Sequence, residues 1–359
     1  MNALGCHLAK VIREQGPVTI GYYMAEALGH PVHGYYMRQD PIGADGDFIT
    51  APEISQTFGE LLGLWSAAVW ESGGASVPIR LVELGPGRGT LMVDALRALV
   101  VTPRFRESLE VHLVETSPAL RATQKAALAE AHPVWHLSFT EVPDGPLIVI
   151  ANELFDALPI RQFQRSVEGW HERLVGLDRR GKHFRYVLSP PIPPAGLIPQ
   201  ELVHAPLNSA IEICPSGDAL AAEIAERVQR CGGAALFIDY GAAASGPRDT
   251  FQAVRRHSRH PPLEAPGEAD LAAHVDFGAL ARAAAAAGAD IHGPLEQGLL
   301  LRRLGIHERA KVLGRTGGRE RQEVTSGVAR LIEPDQMGSL FKALAIVPSG
   351  APTPPGFET

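Results

Sequence analysis

The chain has 359 residues, 45% of them hydrophobic and 20% charged, enough to bury a core of enzyme size and too apolar for wholesale disorder. With 33 Lys+Arg against 40 Asp+Glu the formal net charge is -7, which argues against a non-specific grip on nucleic acid or on an anionic membrane surface. Cys6, Cys214 and Cys231 are too scattered for a disulfide framework or a thiolate zinc site, and no apolar run approaches the ~20 residues of a spanning helix, so a reducing cytoplasmic setting, no metal and no membrane insertion are expected.

Leu4, Leu8, Val11 and Ile12 recur at helical spacing, and Thr19 can cap a second helix that runs to Leu28. The stretch from His33 to Glu53 lacks a sustained period and is rich in Gly, Asp and aromatics, which predicts a long loop; the polar Asp45, Asp47, Thr50 and Glu53 mark its part from Gly43 to Ser55 as a candidate lid. The pattern Phe58, Leu61, Leu62, Trp65, Val69 then returns to helix. Residues 79–84 form an apolar strand that enters Gly85-Pro86-Gly87-Arg88-Gly89 and a helix from Thr90. Further strands are predicted at 110–115, 147–151 and 234–239, alternating with helices capped at Ser117 and running over 216–229, the pattern of a doubly wound α/β sheet. Between the last two strands, 161–164, 170–175 and 184–188 read as inserted antiparallel hairpins. Residues 270–313 carry a helix, a strand near 289–292 and a helix over 299–312. The predicted organisation is N-terminal helices and lid over 1–75, a core over 76–347 with a β-rich insertion at about 160–210, and a disordered Pro-rich tail over 348–359.

The glycine turn fits a ligand approached closely by backbone N–H groups at a helix N-terminus. A dinucleotide fingerprint needs Gly at position 90, where this chain has Thr; the spacing is Gly85, Gly87, Gly89, led by Glu83. Glu115, at the end of the second strand, can accept hydrogen bonds from both hydroxyls of a ribose, and Ser117 sits beside it at the next helix cap.

The turn Glu83-Leu-Gly-Pro-Gly-Arg-Gly89 is similar to the first motif of Rossmann-like S-adenosylmethionine methyltransferases. Read with the blocks at 46–55, Asn152-Glu153-Leu154-Phe155-Asp156, Ile238-Asp239-Tyr240-Gly241 and Ala273-His274-Val275-Asp276-Phe277, the chain over about residues 5–345 resembles the family of mitochondrial dysfunction protein A, the arginine methyltransferases that assemble respiratory complex I. The resemblance implies a class I methyltransferase core with an N-terminal helical extension and an inserted antiparallel β-hairpin segment. It also implies S-adenosyl-L-methionine as cofactor, held by Glu83, Gly85, Gly87, Gly89, Glu115 and Ser117, and a complex I core subunit as protein substrate. No mitochondrial presequence is read here, so the cytoplasmic expectation stands, and a homo-oligomer is left open.

A guanidinium is protonated and delocalised at neutral pH, so a methyl acceptor of this kind calls for carboxylates that clamp its planar fork. Asn152, Glu153 and Asp156 follow the third strand of the sheet, at the end where open α/β sheets bind ligands, and are the candidate catalytic residues. Asp47, Thr50, Glu53 and Asp276 are candidate substrate or lid residues, and His274 is a weaker candidate base. The competing readings are a cofactor-binding assembly factor without catalysis, a small-molecule methyltransferase and a nicotinamide-dependent dehydrogenase.

Overall fold

The computed structural model describes every residue except 39–42, 44–46, 48, 195, 317 and 359, and no side chain between 316 and 320. Asp45 of the expected lid therefore lies outside the described residues. The chain divides into two compact units: Met1–Phe48 with Asp156–Gly217 and Ala244–Asp276, and Ile49–Phe155 with Asp218–Ala243 and Phe277–Thr359.

In the first unit, helix α1 (Ala3–Gln15) starts where the Asn2 side chain accepts from the Gly5 amide, and α2 (Ile20–Gly29) where Thr19 accepts from the Tyr22 amide. Leu4, Leu8, Tyr23 and Met24 on their inner faces are buried with Ile160, Val175 and Leu271. The predicted hairpins are present as strands Arg161–Ser166, Gly169–Leu177 and Phe184–Leu188, joined by Ala210–Ile213, all antiparallel. A small three-stranded sheet, Gln252–Arg255, Ser258–His260 and Asp270–Ala272, was not legible in the sequence. Its tight turn places Arg256 and His257 at φ 49 and 57, the geometry of a type I′ hairpin, which side chains other than Gly and Asn usually avoid. The compensation is Asp47: its Oδ1 accepts from the Arg256 amide at 2.7 Å and its carbonyl from the His257 amide at 3.0 Å. Buried Glu212 joins this part of the chain to the hairpins by accepting from Gln162 Nε2 (2.6 Å), the Thr250 amide (2.9 Å) and the Phe251 amide (3.0 Å).

The second unit is built on a mixed sheet. Its strands are β1 (Ile79–Leu84), β2 (Leu109–Val114), β3 (Val134–His136), β4 (Leu147–Asn152), β5 (Gly233–Ala242), β6 (Asp290–Glu296) and β7 (Phe341–Val347), in the spatial order β3-β2-β1-β4-β5-β7-β6. The first five are mutually parallel, and β7 inserts antiparallel between β5 and β6. The helices of this unit include α3 (Ala51–Ile54), α4 (Gln56–Ser72), α5 (Thr90–Ala98), α6 (Pro118–Ala127), α7 (Pro215–Cys231, whose first residues fall in the first unit), α8 (Phe277–Ala286), α9 (Gln297–Arg303), α10 (Ile306–Leu313) and α11 (Gly318–Ile332). Strand β4 is buried at every position, which is why it reads as a continuous apolar run rather than an alternating one.

The structure departs from the sequence reading in several places. Contacts do not divide the chain at residue 75: the apolar stripe Phe58, Leu61, Leu62, Trp65 of α4 is buried with Leu81, Ile148 and Leu236 of the sheet, so this helix belongs to the second unit. The helix expected over 299–312 breaks into α9 and α10 at Gly305, where φ is 87. Part of the expected loop is the helical turn α3. The tail is ordered rather than disordered, because Phe357 is buried in the core and Trp65 Nε1 donates to the Pro355 carbonyl at 3.1 Å.

Replacing Glu212 with Ala leaves a buried amide side chain and two backbone amides without their acceptor. At about 1–3 kcal/mol for each orphaned donor, it should lower the melting temperature by many degrees in a calorimetric scan. A shift within that of an exposed control such as Glu14→Ala would show that Glu212 does not organise this unit.

Candidate functional site

The carboxyl ends of β1 and β4 are adjacent, since the parallel register pairs Leu84 with Ala151. The chain leaves β1 through the glycine turn, where Gly85, Gly87 and Gly89 have φ 63, 52 and 84. Side chains resist this left-handed backbone, and a Cβ on Gly85 would also come within 2.9 Å of Leu154 Cδ1. Glu115 lies just past β2. Its Oε1 accepts from the Ser117 amide at 2.8 Å and its Oε2 from Gln124 Nε2 at 3.2 Å. The same Gln124 nitrogen donates to the Gly87 carbonyl at 2.7 Å, and its Oε1 accepts from Trp135 Nε1 at 2.8 Å. Gln124 thus fastens the acid at the end of β2 to the glycine turn. Ser117 is fully buried and caps α6 through Leu120. Glu83, 3% exposed, carries an Oε2 that meets no donor among the described residues. Burial, followed by the nearby charge of Glu115, pushes its carboxyl up to about 8, and burial raises Glu115 as well, against the amide of Ser117 and Gln124, which favour the ion.

The loop after β4 meets α3 in the same unit. Glu153 stands at φ 51, a left-handed backbone that costs about 1–3 kcal/mol for a residue with a side chain. Its amide donates to the Ile238 carbonyl at 2.9 Å, and its Oε1 accepts from the Ala51 amide at 2.8 Å and from Asn152 Nδ2 at 3.2 Å. Glu53 accepts from the Thr90 hydroxyl at the start of α5 and lies 3.8 Å from Arg88. Thr50 occupies the N-cap of α3 without a side-chain bond to it. Asp239, fully buried on β5, accepts from the Phe155 amide at 2.9 Å and fixes the loop from the other side.

The remaining sequence candidates belong to the first unit. Tyr35 donates to Asp47 Oδ2 at 2.7 Å, and Tyr36 to Asp270 Oδ1 at 2.8 Å. Burial first, then the charge of Asp156, pushes the Asp270 carboxyl well above the usual carboxylate range. Asp156 itself is 8% exposed, and its carbonyl accepts from the Ala273 amide at 3.0 Å. Asp276 is partly buried in the short strand Val275–Asp276. The His274 amide donates to Thr250 Oγ1, and burial lowers its imidazole below the ordinary value, a setting that keeps the ring neutral. A group of His7, Glu26 and His30 has ligand-type atoms within 4.8 Å of one another. His30 Nδ1, however, accepts from the amides of Val32 and His33 at 3.1 Å each, which leaves the ring hydrogen on Nε2 and disfavours a metal there.

Sequence reasoning did not find Gln124, Thr90, Arg88, Asp239 or the Tyr36–Asp270 pair. Each acts through a partner distant in sequence; Arg88, Thr90 and Asp239 lie in or beside blocks that carry a signal in the pattern, without these roles attached.

In the folded protein Glu83 keeps its proton up to about pH 8, whereas an unfolded chain loses it near 4.5, so this group makes stability fall as pH rises between those values. The isosteric Glu83→Gln variant should therefore gain melting temperature relative to the parent from pH 5 to pH 8 and no further above about 9. Parallel curves for the two proteins across that range would remove Glu83 as the titrating group.

A family model for S-adenosyl-L-methionine-dependent methyltransferases matches residues 61–295. The chain is 39% identical over 375 residues to protein arginine methyltransferase NDUFAF7, mitochondrial, of Xenopus laevis, covering 97% of this chain and 85% of that protein. It is 38% identical to the Homo sapiens protein of the same name, covering 95% and 82%. A Burkholderia thailandensis protein solved with S-adenosyl-homocysteine superposes with a TM-score of 0.86 at 28% identity, covering 99% of this chain and 94% of that one. The cytoplasmic location expected from the sequence is corrected by these relatives, whose names place them in mitochondria. Among the described residues, no helix is long and apolar enough to cross a membrane. With relatives of this identity along almost its whole length and a sheet that ends in the glycine turn, the chain belongs to the family of S-adenosyl-L-methionine-dependent methyltransferases that includes the NDUFAF7 protein arginine methyltransferases.

Proposed function

We propose that this chain transfers methyl groups from S-adenosyl-L-methionine to an arginine side chain of a protein, and that the protein is a core subunit of respiratory complex I during its assembly. The observation that carries the cofactor half of this reading is the glycine turn: three residues at positive φ, flanked by a Glu83 oxygen that meets no donor among the described residues and tied by Gln124 to Glu115. The acceptor half is supported by the near-full-length likeness to proteins named arginine methyltransferases.

These residues fit the cofactor by their chemistry. The Gly85 and Gly89 amides are spent inside the turn, on the Val114 and Pro86 carbonyls, so the turn contributes a backbone without Cβ atoms that a ligand can approach closely, and Glu115 carries lone pairs beyond those its protein donors use for the ribose hydroxyls. Ser117 holds that carboxylate in place through its amide. Glu83, buried and raised, is stabilised as an ion by a neighbouring positive charge, which the sulfonium and ammonium of the cofactor would provide. When bound, the cofactor would supply an electrophilic methyl group on a sulfonium for transfer to the acceptor nitrogen. The protein's part is orientation and exclusion of water. In this reading Asn152, Glu153 and Asp156 serve the acceptor, as the polar residues that follow β4.

Glu115→Ala should weaken S-adenosyl-homocysteine binding by about 10- to 100-fold, the worth of one or two hydrogen bonds to a charged group, in isothermal titration. An unchanged dissociation constant rejects the ribose assignment, and binding of NAD in place of S-adenosyl-homocysteine rejects the methyltransferase reading. For the acceptor, labelled cofactor is incubated with the protein and complex I core subunits, followed by peptide mass analysis. Methyl-arginine on a core subunit is the expected product, lost when the target arginine is replaced by Lys, because a point-charge ammonium does not match a planar fork. Cofactor binding without any methylated protein would favour the non-catalytic assembly factor.

A further inference from the structure

Two residues that follow one another, Asn152 and Glu153, have opposite hydrogen-bonding positions. Glu153 is engaged by the Ala51 amide and by Asn152 Nδ2. The helix that supplies the Ala51 amide is held in turn: Glu53 accepts from Thr90, and a Cβ on Gly327 of α11 would come within 2.8 Å of the Ile54 carbonyl oxygen, so α3 has no room to withdraw. Asn152, by contrast, has spent its donor and not its acceptor. Its nitrogen faces Glu153, which turns its Oδ1 the other way, and that oxygen meets no donor among the described residues although Asn152 is only 8% exposed. A buried carbonyl oxygen left without a donor is unfavourable until a ligand supplies one. The position is the carboxyl end of β4, one residue past the pair Leu84 and Ala151 that leads into the glycine turn.

We infer that Asn152 Oδ1 accepts an N–H of the methyl-accepting guanidinium, and that Glu153, with Ala51 and Glu53 behind it, is a positioning residue that holds the amide in this orientation. The inference rests on the arginine methyltransferase reading and changes one part of it: Glu153 supports the acceptor ligand rather than clamping the substrate charge. A neutral amide oxygen suits the task, because it orients a nitrogen without neutralising it by taking its proton. Glu153 is charged for a separate reason, since one carboxylate oxygen here serves two donors.

The test compares wild type, Asn152→Ala, Glu153→Ala and Glu153→Gln for methyl transfer to the arginine peptide that wild type modifies, and for S-adenosyl-homocysteine affinity. Asn152→Ala should lower kcat/KM by about 10- to 100-fold at an unchanged cofactor dissociation constant. Glu153→Ala should fall similarly, while Glu153→Gln recovers most of the loss, because the Gln oxygen still accepts from Ala51 and Asn152. A Glu153→Gln as inactive as Glu153→Ala means a charge clamp and overturns the inference. So does an Asn152→Ala that loses cofactor affinity in proportion to activity, which would give the oxygen to the cofactor ammonium. A readout without substitution uses wild type saturated with S-adenosyl-homocysteine and titrated with methylguanidinium: the side-chain amide resonance of Asn152 should shift, and no shift at saturation overturns the assignment. Wild type that binds cofactor but methylates no arginine peptide defeats the functional reading instead, and is recognised by the wild-type arm alone.

Discussion

The second unit depends on a backbone that must turn through space already filled by side chains. Strands β1 and β4 end side by side, and beyond Leu84 the chain has the Leu154 side chain on one flank. A Cβ at Gly85 would meet Leu154 Cδ1 at 2.9 Å, and three left-handed glycines follow one another at alternate positions. The same turn leaves amides and carbonyls that need partners. Gln124 answers for the Gly87 carbonyl, Glu115 answers for the Ser117 amide, and the two answer for each other. A cradle for an extended polar ligand is therefore the consequence of satisfying one tight turn.

Electrostatics adds a second layer. Glu83 and Glu115 are both buried and both raised by burial, and the charge of Glu115 raises Glu83 further. Buried acids of this kind are unfavourable as ions by themselves and favourable beside a cation. In the first unit the Tyr36–Asp270 pair, with Asp156 as a like charge, is arranged on the same principle around a different set of side chains. Its tyrosines keep their protons, because burial and the neighbouring carboxylates push both hydroxyls well above their ordinary range.

The segment expected to be a lid carries a different lesson. In the sequence Asp47, Thr50 and Glu53 are lid candidates because they look too polar to be idle between apolar helices. Asp47 instead props the strained Arg256–His257 turn, Thr50 begins a helix, and Glu53 grips the first residue of α5. Asp47 satisfies a backbone donor where the chain changes direction, and Glu53 takes a side-chain hydroxyl at a helix start.

The sequence by itself determined the parallel sheet, the glycine turn, the hairpin insertion and the acids beside the turn, because each is written in local periodicity or in a spacing of a few residues. The apolar run Leu147–Ala151 could only be a buried strand, and Gly85, Gly87, Gly89 with Glu83 and Glu115 pointed to a nucleoside-bearing ligand. Strand β7, helix α11 and the ordered tail were missed, since their burial is earned against partners far along the chain, as Phe357 in the core shows. Only the tertiary structure decided which polar residues are already occupied. Asn152 and Glu153 are neighbours in sequence and look alike as candidates, but an amide 102 positions away takes Glu153 while the Asn152 oxygen meets no donor among the described residues, a division that follows from hydrogen bonding across the fold and leaves no trace in local pattern.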